Sequence, residues 1–195
     1  HLKISEILEK LPALSYSRRF VLNREEHILI ALKLNPEKKN YKTAINFYKK
    51  KEQFQECIDL HLSMKKKYKS DVEDLFDLAD IYFLNKEYQK SIKIYEKIEN
   101  KLGFIYEIFE KKIKLYFLQK KEHIAYMEWQ NLIKKNYENR DYASLYVKFL
   151  IENFSEEKAI YFLKEYINNF PDFFEFYSQL IILIFKSNLE ETKNY

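Results

Sequence analysis

Small and large side chains recur in this sequence at a fixed step of 34 residues. Cys57, Ser91, Ala125 and Ala159 are small residues in one phase, and Tyr48, Tyr82, Tyr116, Leu150 and Ile184 are large ones in another. A period in the thirties is the mark of a helical solenoid, in which each short unit cannot bury its own apolar face and stacks on its neighbour instead. Composition agrees with an all-helical chain. One Gly and three Pro in 195 residues leave few of the residues that make tight turns between strands. A hydrophobic content of 47% suffices for a continuous core.

With Val72 in the first place, the register divides the chain into four blocks, 38–71, 72–105, 106–139 and 140–173. A degenerate helix pair or cap at 1–37 precedes them, an apolar helix and tail at 174–195 follow, and the whole reads as one domain. The first helix of each block carries a seam spaced four then three, the period of one helix face: Tyr41, Ile45, Tyr48; Leu75, Ala79, Tyr82; Phe109, Ile113, Tyr116; Ala143, Val147, Leu150. The second helices present a small residue and then two larger ones: Cys57, His61, Met64; Ser91, Tyr95, Ile98; Ala125, Trp129, Leu132; Ala159, Leu163, Tyr166. Small against large is what close antiparallel packing requires. Helix starts fit the same frame, because Asp71 has Asp74 three places on and Ser155 precedes two acids. Ahead of the blocks, Leu2, Ile4, Ile7, Leu8 and Leu11 outline a short helix ended near Pro12, and a second runs over Arg24–Leu34 with Ile28, Ala31 and Leu32 on one stripe.

The alternation of large, small and Tyr, followed nine places later by a small residue and four beyond by a large one, resembles the tetratricopeptide repeat. LADIYFLNKEYQKSIKIYEKI is the clearest copy, and Gly103 and Pro171 fall where that family prefers Pro near the end of a repeat. Lys112 departs from the pattern, which asks for an aliphatic residue there. The resemblance implies an all-α, right-handed α-solenoid of antiparallel helix pairs, and a non-enzymatic adaptor that holds a peptide or helix of another protein in a concave groove lined by the first helices. The groove places it implies are Lys39, Lys42, Asn46 and Lys49, then Phe76, Asp80, Phe83 and Leu84, then Lys114, Phe117 and Leu118, then Lys148 and Ile151. Such a groove is expected to be basic at its N-terminal end and apolar, with acids, in the middle. Lys42 and Asn46 match the start of the clamp with which some family members grip acidic tails of heat-shock chaperones. Asp77 and Glu107 replace an Asn and a Lys of that clamp, and their carboxylates would repel such a tail. Phe83, Phe117, Ile151 and Phe185 recur at one phase and are expected either to pack or to form an apolar ladder for a partner's side chains.

Other chemistry finds little support in the residues. His1, His27, His61 and His123 are scattered, one Gly excludes a phosphate loop, and serines such as Ser15, Ser17 and Ser178 have no His and Asp pair nearby. Neither an enzyme nor a metal nor a cofactor is expected. Cys57, the single cysteine, reads as a buried structural thiol. Charge is mixed, 34 Lys and Arg against 30 Asp and Glu, and the basic runs at 49–51 and 65–69 lie at helix C-termini, so they read as dipole-compensating solvation and no nucleic acid is expected. The longest apolar run, 180–185, is too short to span a bilayer, so membrane attachment would require an N-terminal anchor ahead of His1. The compartment is left open between the cytoplasm and, after removal of a signal, the bacterial cell envelope or periplasm. In that second setting the alternative role is a dedicated chaperone or assembly factor for one envelope or secreted protein. Heavy use of Lys, Ile, Tyr, Phe and Asn is that of a low-GC genome. Finally, 174–185 is apolar nearly all round, so Leu180, Ile181, Leu183 and Ile184 are expected to face a second copy or a partner unless 189–195 folds back over them.

Overall fold

A computed structural model describes the backbone of residues 24–193 and the side chains of residues 24–186. The expected helix over Leu2 to Leu11 lies outside the described residues. Ten helices and no strands occur among the described residues: α1 Arg24–Leu34, α2 Lys38–Lys50, α3 Phe54–Lys67, α4 Val72–Leu84, α5 Tyr88–Leu102, α6 Tyr106–Leu118, α7 Glu122–Lys135, α8 Arg140–Asn153, α9 Glu156–Asn169 and α10 Phe174–Lys193. The chain forms two compact units that part at Lys120, α1–α6 in the first and α7–α10 in the second.

The seam residues of all four first helices and the small and large residues of all four second helices are buried. In the first unit, contacts across α4 and α5 show how the small phase works. Phe83 meets Tyr88, Ala79 meets Ser91 and Phe76 meets Tyr95, an order that only antiparallel helices give. Ser91 lets the helices approach so closely that its Oγ donates to the Ala79 carbonyl at 2.8 Å. Cys57 Sγ does the same toward the Ile45 carbonyl at 3.4 Å between α3 and α2. Burial pushes the Cys57 thiol up to about 11, so it stays protonated and unreactive at neutral pH.

The turns repeat as well. Glu52, Lys86 and Lys120, one in each of the first three repeats at a 34-residue step, adopt φ of 58°, 60° and 56°. In the first two turns the next amide reaches back five residues, Gln53 N to the Tyr48 carbonyl at 3.0 Å and Glu87 N to the Tyr82 carbonyl at 2.8 Å. These are left-handed helix ends of the kind that normally takes Gly, made here by charged side chains that extend into water. The only Gly, Gly103, ends α5 at φ 85° and ψ −171°, a conformation that a side chain would strain. Asp71 and Asp74 form a reciprocal capping box at the start of α4, and Asn139 and Ser155 cap α8 and α9.

The second unit is held by aromatic packing. Trp129 stacks on Tyr146 at 5.7 Å, Tyr146 meets Phe162 edge-on at 4.9 Å, and Tyr166 meets Phe176 edge-on at 4.9 Å. Phe176 and Leu183 seat α10 and are buried. Leu183 is therefore not part of an exposed association face as expected, because α10 turns that side toward α9. Leu180 and Ile184 are half-buried, and only Ile181 of the expected four is exposed. Residues 189–193 do not fold back either, since they continue α10.

Candidate interaction surface

The first helices of unit one are tied together by charges of opposite sign. Lys38 Nζ lies 2.6 Å from Asp71 and 2.7 Å from Asp74, Lys42 Nζ 2.7 Å from Glu73 and 3.4 Å from Asp74, and Lys49 Nζ 2.7 Å from Asp77. The pairs ascend in the same order on both helices, so α2 and α4 run side by side in one direction. The cations expected to make this end of the surface basic are largely engaged by the next repeat. Lys39 and Asn46 point into solvent.

Asp77 is the most constrained of these acids. It accepts from Lys49 on one oxygen and lies 2.9 Å from Nε2 of the buried His61 on the other. Burial pushes its pKa up, but the hydrogen bonds from His61 and Lys49 and the Lys49 charge outweigh that and hold the carboxyl at about 2. A carboxyl depressed below its unfolded value near 4 stabilises the fold above about pH 4, and that stability is lost as pH falls toward 2. For a group a third open to solvent this is about 1 kcal/mol. Asp77→Asn should therefore lower the urea midpoint at pH 6 and flatten its fall between about pH 4 and pH 2. An identical acid limb in both proteins would contradict the assignment.

Between α4 and α6 the surface becomes apolar. Phe76 is half-buried with Lys111 Nζ 5.9 Å from its ring centre, and Asp80 accepts from Tyr95 Oη at 2.8 Å. Burial and that bond raise the Tyr95 hydroxyl well above its ordinary value. Phe83 is half-buried, 6.1 Å from Tyr88 with Lys114 Nζ 5.7 Å from its ring. Phe117 is likewise half-buried. Next to them at the helix ends, Leu84 and Leu118 are 41% and 45% exposed. Phe83 and Phe117 of the expected ladder are thus partly packing residues, and the leucines beside them are the open ones.

Lys148 and Ile151 belong to unit two. Lys148 is exposed, 3.8 Å from Glu152, and Ile151 is 36% exposed. The same unit contains a cavity of about 730 Å³ that the sequence reading did not anticipate, lined by residues of α7–α9 including Tyr126, Tyr161, Phe162, Lys134 and Glu165. Its lining comes from helix faces of different repeats, which a single-helix pattern does not bring together. Among the described residues no group of three or more His, Cys, Asp or Glu side chains converges as a metal site. No described helix is long and apolar enough to cross a membrane.

The sequence matches no protein-family model and no curated protein. Solved structures do resemble the fold. A tetratricopeptide repeat protein from Parabacteroides merdae ATCC 43184 superposes with a TM-score of 0.51 at 14% identity, covering 84% of this chain and 66% of that one. A chain of the Naa15/Naa10 complex bound to HypK-THB superposes with a TM-score of 0.57 at 16% identity, covering 82% of this chain and 25% of that one. This chain therefore spans just under two thirds of the first and a quarter of the second. With its 34-residue register, its buried small-and-large seams and this likeness, the chain has the helix-pair repeat fold seen in tetratricopeptide-repeat proteins.

Proposed function

We propose that the chain is a protein-binding adaptor whose first-helix face in unit one receives an apolar segment of another protein. One observation carries the reading: Leu84 and Leu118 are exposed one repeat apart, beside half-buried Phe83 and Phe117. Paired leucines at the ends of adjacent parallel helices, with Lys114 at their border, form an anchor site for large aliphatic or aromatic side chains. Because Lys42 and Lys49 are matched by acids of α4 in the next repeat, the ligand is bound through apolar contacts, with charge at the rim only. The Naa15/Naa10 chain that shares the fold was solved with a bound protein, HypK-THB, which fits this type of role.

The test begins with selection of binding peptides from a displayed random library against the full chain. Selected ligands should carry two or more large apolar residues and lose roughly tenfold or more in affinity to the Leu84→Ala, Leu118→Ala double variant. The melting temperature should stay nearly constant, since both side chains are exposed. Unchanged affinity in the double variant would overturn the assignment of this face.

A further inference from the structure

Helix α10 carries an apolar stripe that no described residue of its own unit covers. Phe174 is 73% exposed, Ile181 53% and Phe185 66%, and Ser178, also exposed, lies among them. The register makes this exposure unusual, because Tyr177 and Ile181 occupy the phase of Ala143 and Val147, which are buried, yet they are 37% and 53% exposed. In the preceding repeat the chain turns after its first helix and lays α9 along it. Here the register places the helix end near Lys186, but α10 runs straight on to Lys193. The usual cover is absent through the last described residue.

The order of the stripe says what fits it. Phe174, Ser178, Ile181 and Phe185 are spaced four, three and four, which reads the same in both directions. Laid antiparallel against an identical helix, Phe174 meets Phe185, and Ser178 meets Ile181, so that a small residue opposes a large one twice. A small residue at each crossing lets the two helices approach, as Ser91 does in the buried α4–α5 contact. The charges agree. Glu175 and Lys186 sit on one flank of α10, and the two-fold brings the Glu175 of one copy beside the Lys186 of the other, as flanking pairs do in helical dimers. Within the chain these groups already pair with Arg140 and Glu156, contacts that hold them at that flank.

We propose that α10 is a dimerisation helix that packs antiparallel on α10 of a second copy about a two-fold axis between Ser178 and Ile181. The stripe shares no residue with the first-helix face of unit one, so either assignment can fail without the other. Sedimentation of the full chain from about 5 to about 500 µM should show the mass rising to that of a dimer. Ile181→Asp, an exposed substitution that leaves the helical spectrum unchanged, should hold it as a monomer. Orientation is read by oxidative cross-linking of Phe174→Cys and Phe185→Cys proteins, in which Cys57 is silent because it is buried. A mixture of the two should cross-link, whereas each alone should not, since identical positions would lie about 16 Å apart along the axis. A wild-type chain that stays monomeric throughout, a dimer unaffected by Ile181→Asp, or cross-linking of either variant with itself would each overturn the proposal.

Discussion

Phe176→Ala is expected to destabilise the second unit by about 3–5 kcal/mol. Phe176 is fully buried, 4.9 Å edge-on from Tyr166 and 6.5 Å from Phe173, so truncation removes a whole ring from a closed aromatic cluster. The cavity cannot be refilled by sliding α10, because Leu183, two turns further along, is buried on the same side. The loss should appear as an early urea transition with faster amide exchange along α10. Phe174→Ala is the matched control: that ring is 73% exposed, and its removal should change stability by less than about 0.5 kcal/mol at concentrations where the chain is a monomer. Equal effects for the two variants would mean that α10 is not docked through the Phe176 side.

Lys112 supplies the second large effect. It stands in the phase of Ala44, Leu78 and Tyr146, all buried, and is itself buried. Its ammonium reaches Glu99 on α5 at 2.8 Å, with the two side chains 10% and 16% exposed. Lys112→Ala leaves the Glu99 carboxylate largely desolvated with its counter-charge gone, which should cost about 2–4 kcal/mol. Lys112→Leu combined with Glu99→Leu removes both charges and should recover most or all of that loss, because the desolvation penalty disappears with them. Urea denaturation of the single and double variants measures the difference. A single-variant cost below about 0.5 kcal/mol would show that the pair is effectively solvated.

The repeat itself was legible because burial follows phase. Tyr82, Ser91, Tyr95 and Ile98 could be assigned to the core from spacing alone, and the expected start of the second block at Val72 is where α4 begins. Spacing reports which residues share a helix face, but not which neighbouring helix supplies a counter-charge. The pairing of Lys42 and Lys49 with Glu73 and Asp77 therefore changed the expected basic end of the surface. A signal was present, since opposite charges recur at 28 to 33 residues, about one repeat apart. The left-handed turns at Glu52, Lys86 and Lys120 are not legible in the sequence because no Gly marks them. A helix that is apolar all round does not reveal which side is docked, so its pattern does not show that Leu183 is buried.

The place where a bound peptide lies tests the first-helix face most directly. Amide exchange of the full chain with and without a selected peptide should show protection along α4 and α6, strongest at their C-terminal ends near Leu84 and Leu118, with α3 and α5 unchanged. Protection confined to the second helices α3 and α5, with the ends of α4 and α6 exchanging as in the free chain, would contradict it.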